Sequence, residues 1–194
     1  MSLSIASHGE HLVVAMFGQN EDVAVYFQAV VFFLMPGVMF NQYTATVFGP
    51  YLRQNKNIVI DKIVCLYKYG LLSILVVFIV LLLIGYLLEV LVIGSVSTSI
   101  PMAVVLVLTS CVRLIYILPS SFVGILGSRD ELRFATIAYL MCSLLLPLLS
   151  WLFLSSGVGI MISVATANLI NWSLRSCVGI GVMRRIIHSN TDLR

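Results

Sequence analysis

The stretch Ile100–Leu126, IPMAVVLVLTSCVRLIYILPSSFVGIL, decides the fold class. It is longer than the roughly 20 residues that a helix needs to cross a bilayer core of about 30 Å. Its one charge, Arg113, falls near the middle. Working outward, four more runs of this kind appear, at residues 23–48, 69–88, 134–154 and 158–183. The separators are polar or rich in Gly and Ser: 53–62 (RQNKNIVIDK), 94–99 (GSVSTS), 127–133 (GSRDELR) and the tight 155–157. Residues 1–17 form a sixth, imperfect element. At about 1.5 Å per residue they reach only about 25 Å as helix, so they read as a helix that lacks its start.

Composition agrees with this reading. Of 194 residues, 60% are hydrophobic and 10% charged, where a soluble domain carries roughly 25% charged. Mean hydropathy is +1.08. Such a chain cannot cover a water-facing surface, which excludes a soluble enzyme or a nucleic-acid-binding module. The expected fold is all-α, a polytopic membrane bundle over residues 1–185 with a tail at 186–194. Cys65, Cys111, Cys142 and Cys177 lie far apart in or beside apolar runs and form no C-x-x-C, so they read as small apolar residues of helices. No signal peptide is expected, because the first dozen residues hold no Lys or Arg.

The net charge of +3 reflects topology. Arg53, Lys56 and Lys62 fall in one separator, Arg129 and Arg133 in another, and Arg184, Arg185 and Arg194 at the end of the chain. With five full spans these segments share a side. The opposite segments, near 19–22, 89–99 and 155–157, hold no Lys or Arg. The positive-inside rule then places the C-terminus in the cytoplasm.

Three basic residues lie inside the spans. An Arg at the centre of a membrane helix costs roughly 2.5–3.5 kcal/mol on insertion scales, and such residues face partners or polar cavities. Arg113 therefore reads either as an anion site, its guanidinium offering bidentate contacts to phosphate, or as an Arg bonded between helices. Arg175 carries the same two readings, but nearer its helix end it can also snorkel, as can Lys68. Asn168, Asn171 and Arg175 share one helical face. With Asn41 and Gln42 after Pro36, and Ser120 and Ser121 after Pro119, they read as cavity lining or as interhelical hydrogen bonding. Pro36, Pro119 and Pro147 each remove a helix hydrogen bond. Glu10, between His8 and His11, is the candidate for coupling to a proton or cation. Glu89 reads as interfacial. His8 and His11 alone do not make a metal site. Glu21–Asp22 and Asp130–Glu131 read as solvated loop pairs. No metal, cofactor or enzyme motif is expected.

Several segments resemble one family. The run from Glu10 through Gly18 to Tyr26 is similar to a helix end, short loop and Tyr-bearing helix start in polysaccharide flippases. Phe48-Gly49-Pro50-Tyr51 before a basic loop is similar to their P-x-L helix end, and Gly124-Ile125-Leu126-Gly127 before a charged loop also fits. Residues 155–185, with Gly157, Gly159 and Ala165, resemble their terminal G-I-x-G-A-A-x-A helix. The chain thus resembles the C-terminal half of the lipid-linked oligosaccharide (O-antigen type) flippases of the multidrug/oligosaccharidyl-lipid/polysaccharide exporter superfamily. The resemblance implies one lobe of a two-lobed transporter in a bacterial inner membrane. Its substrate would be an undecaprenyl-diphosphate-linked oligosaccharide, flipped to the periplasmic leaflet for O-antigen or capsule synthesis. It also implies a partner, either a second six-helix bundle or another copy in a homodimer, so the chain reads as a fragment or half-transporter. The expected substrate-binding residues are Arg113, Arg175, Asn168, Asn171, Asn41 and Gln42, with Glu10 for ion coupling. A multidrug/cation antiporter and a membrane-embedded polysaccharide polymerase are the alternatives. The first would want carboxylates in its cavity, and the second a sizeable outward loop.

Overall fold

The computed structural model describes residues 13–16, 18–54 and 56–191. All of its regular structure is helical, as the apolar runs require, with no strand among the described residues. The helices are α1 (Asn20–Ala29), α2 (Met35–Gln54), α3 (Lys56–Ile93), α4 (Ile100–Leu126), α5 (Arg129–Ser155) and α6 (Ile160–Thr191). Val13–Met16 are also helical. Four segments are long and apolar enough to cross a membrane: Glu21–Gln54, Leu72–Ile93, Ile100–Leu126 and Arg129–Ser155. This marks a membrane protein.

Three expected boundaries change. The separator at 53–62 is mostly helix, because α2 runs to Gln54 and α3 starts at Lys56. Nothing in that run breaks a helix, and polarity alone does not end one. The tail expected at 186–194 is helical as far as Thr191. The run at 158–183 forms the 32-residue α6, yet α6 is not among the four apolar segments. It packs along both α4 and α5, so its polar residues meet protein on two sides.

Between α1 and α2, Val30–Leu34 forms a π-helical turn in which the Met35 N–H donates to the Val30 carbonyl. Pro36 follows at once and has no N–H to give, which favours a local departure from the α pattern. The turn buries Phe32, Phe33 and Leu34. Phe33 fills the space left by Gly85 of α3, where an added Cβ would come within 2.4 Å of the ring. The turns after α3 and α5 each use a glycine at positive φ, Gly94 at 81° and Gly157 at 84°, a conformation that side chains disfavour. The α5 start is a capping box: the Ser128 N–H donates to Glu131 Oε2 at 2.7 Å, and the Glu131 N–H donates to Ser128 Oγ at 3.4 Å. Glu131 is thus engaged in capping the start of α5.

Two buried clusters organise the bundle. One joins Val13, Val14, Tyr26 and Phe33 to Ala103, Leu106, Val164 and Ala165. The other joins Leu52 to Phe122, Ala135, Met183 and Ile186. The second cluster draws together the end of α2, the end of α4, the start of α5 and the end of α6. It therefore collects Arg53, Arg129, Arg133, Arg184 and Arg185 at one end, all exposed. Arg185 reaches back over the Phe134 ring at 5.6 Å. Glu21, Asp22 and Glu89 lie toward the opposite end. The helix order thus separates a basic end from an acidic end.

Candidate functional site

Helices α2 and α4 cross closely at Gly37. A Cβ there would fall 2.5 Å from the Ser110 Cβ, so the crossing needs glycine. Ser110 Oγ donates to the Leu34 carbonyl at 3.1 Å, and Asn41 Nδ2 donates to the Ser110 carbonyl at 3.3 Å. From this crossing toward the basic end runs a cavity of about 680 Å³. Its walls come from α2, α4, α5 and one residue of α6. Val38, Asn41 and Gln42 form one side, Thr136 and Tyr139 the other, and Arg113, Tyr116, Ser120, Ser121 and Trp172 the back. Among the described lining residues Arg113 alone carries a charge.

Arg113 is only 7% exposed. Its guanidinium carbon lies 4.5 Å from the centre of the Trp172 ring. Arg175 also stacks on Trp172, at 5.0 Å. Two cations therefore share one indole, each drawn to its electron-rich face. Tyr116 meets the same ring edge to face at 5.5 Å and Tyr139 at 5.3 Å, which fixes an aromatic wall. Arg175 turns away from the cavity. Its Nη2 donates to the Tyr139 carbonyl at 3.1 Å and to Ser143 Oγ. It is a carbonyl-bonded Arg between helices, the second of its two sequence readings.

The six expected substrate-binding residues thus divide. Arg113, Asn41 and Gln42 line the cavity. Asn168, Asn171 and Arg175 are buried in the interior behind it and do not line it. The face that these three share is turned into the protein, because α6 lies between α4 and α5. The expected Ser120 and Ser121 do line the cavity. Glu10, His8 and His11 lie outside the described residues, as does the Lys68 side chain.

Glu89 departs most from its sequence reading. It is fully buried, and its Oε1 accepts four hydrogen bonds from the α3–α4 turn. The turn folds back over the helix end after Gly94, which removes the carboxylate from solvent. Trp172 was also not singled out, although its i, i+3 spacing to Arg175 places both on one side of a helix. Tyr116 and Tyr139 carry no such signal, since tyrosines are common in apolar helices.

A cavity of this size suits a small-molecule or headgroup ligand. A single guanidinium, amide and hydroxyl donors, and aromatic faces suit an anion joined to a polar body. No protein-family model, curated protein or solved structure matches the chain.

Proposed function

We propose that this protein is one lobe of a membrane transporter that moves an anionic, lipid-linked oligosaccharide between leaflets. The observation that carries the reading is Arg113: a buried cation on an aromatic wall, lining a largely apolar cavity together with Asn41, Gln42, Ser120 and Ser121. Its guanidinium would take a diphosphate oxygen pair in bidentate fashion. Asn41, Gln42, Ser120 and Ser121 would bond sugar hydroxyls, and Tyr116 and Trp172 would offer stacking faces. The resemblance to polysaccharide flippases supports undecaprenyl diphosphate as the carrier and alternating access as the mechanism. The helix pattern supports a membrane chain, the resemblance points to a bacterial inner membrane, and the Lys/Arg distribution favours a cytoplasmic basic end and C-terminus. The cavity lies toward that basic end. A second bundle, from another chain or another copy, would complete the pathway. A cationic drug is the weaker substrate, because the described lining holds Arg113 and no carboxylate.

The test is leaflet exchange of a fluorescent polyprenyl-diphosphate oligosaccharide in proteoliposomes. Exchange without a change in mass, lost in Arg113→Ala at equal protein incorporation, is expected. Lengthening of the glycan would instead indicate a polymerase. Cation-dependent dye efflux with no lipid exchange would indicate an antiporter.

A further inference from the structure

At the acidic end, Glu89 is held in a way that cavity transport does not use. Oε1 accepts the Ser97 N–H at 3.1 Å, the Ser97 hydroxyl at 2.8 Å, and the Thr98 N–H and hydroxyl at 2.7 Å each. Gln28 of α1 reaches the same turn, its Nε2 donating to Ser97 Oγ at 2.8 Å. The other carboxylate oxygen, Oε2, is buried with no hydrogen-bond partner among the described residues. One turn earlier on the same helix face, the Tyr86 hydroxyl is also buried, with no hydrogen-bond partner among the described residues. The Tyr86 ring is fixed edge to face against Phe33 at 4.9 Å.

The four donors on Oε1 are arranged for a carboxylate. Four donors gathered on one oxygen suit an ionised acceptor, whose lone-pair sites are divided between two oxygens. That leaves a negative charge with one bare oxygen beside the buried Thr98, at the inner side of an exposed turn. Leaving a buried acceptor unsatisfied is costly, and more so when it is charged. No Lys or Arg lies in the acidic-end turns to neutralise it.

We propose that Glu89 Oε2 is the anchor of a monovalent cation site of sodium type. The ligand set is oxygen only: Oε2, the Tyr86 hydroxyl, and the lone pairs of Thr98 Oγ1 and Ser97 Oγ, whose hydrogens are turned to Oε1. Hard cations take such ligands. The single carboxylate matches a single charge, whereas a calcium site gathers several carboxylates. No group of three or more His, Cys, Asp or Glu exists among the described residues, which argues against a transition metal. The proposal stands on the Glu89 geometry and does not depend on the reading of Arg113.

The experiment uses the full chain in nanodiscs. Its Tm is followed as sodium chloride replaces choline chloride at constant ionic strength, with potassium chloride as a size control. A ligand that binds the folded state raises Tm in a saturable way. A rise of about 5 °C at saturating sodium is expected, with a weaker response to potassium. Binding of radioactive sodium by scintillation proximity should saturate on the same concentration scale. Both responses should vanish in Glu89→Gln. If Glu89→Gln does not fold, Thr98→Val, which keeps the carboxylate, should weaken sodium binding at least tenfold. A wild-type Tm that does not change as sodium replaces choline overturns the site. So does sodium binding that is unchanged in Glu89→Gln, or in Thr98→Val where that variant has to stand in.

Discussion

Helices α3 and α6 are of similar length and differ in almost everything else. The apolar segment of α3, Leu72–Ile93, is mostly exposed, at Leu, Val and Ile positions such as Leu72, Leu75, Val76 and Leu83. Helix α6 packs on two neighbours and buries Ser163, Asn168, Asn171, Arg175 and Ser176. In water the apolar helix would be the central one. Here the order is inverted, as expected where lipid is the solvent and polar side chains act as contacts between helices. The hydropathy that makes α3 an obvious span marks it as peripheral, and the polarity that weakens α6 as a span marks it as central.

Substitutions can break or sharpen this contrast. The largest effect should come from Arg175→Ala in α6. It removes the stack on Trp172 and the bonds to Tyr139 and Ser143, and leaves a cavity. A loss of about 3 kcal/mol is expected by reversible detergent unfolding. Next is a close contact of α3 with the core, at Gly85. Gly85→Leu would push into Phe33, which has no room to give, at a cost of about 2 kcal/mol. Smaller again is Asn171→Leu. Both polar atoms of this fully buried amide lack partners among the described residues, so a similar-sized apolar residue should stabilise by about 1 kcal/mol. A loss instead would show that Asn171 holds a group such as an internal water. Smallest is Leu83→Ala on the exposed face of α3, within about 0.5 kcal/mol of zero.

The same contrast explains what the sequence could and could not reveal. The helices were legible because lipid demands long apolar runs, and Arg113 was legible because a mid-span charge is expensive. Asn41 and Gln42 were found through their position after Pro36. Arg175, Asn168 and Asn171 show the limit. Periodicity puts them on one face, but only the packing of α4 and α5 against α6 decides whether that face meets a cavity or another helix. The 53–62 run shows a second limit, since charge and polarity mark an aqueous segment without saying whether it is coiled or helical. Glu89 shows a third. Its burial depends on a turn eight and nine residues away folding back, and no local pattern on α3 encodes that.

The proposed transport requires Arg113 to present a buried positive charge to an anionic headgroup in the cavity. Trp172 is a built-in reporter, because Arg113 stacks on it and it lines the cavity. The only other tryptophan, Trp151, is exposed on α5 and can be replaced by Phe. The most direct measurement is the Trp172 emission of the Trp151→Phe protein during titration with a polyprenyl diphosphate lipid, with the neutral polyprenol as control. The account predicts a saturable change with the diphosphate, none with the alcohol, and loss of the change in Arg113→Gln. An identical response to both lipids, or a response that survives in Arg113→Gln, would contradict it.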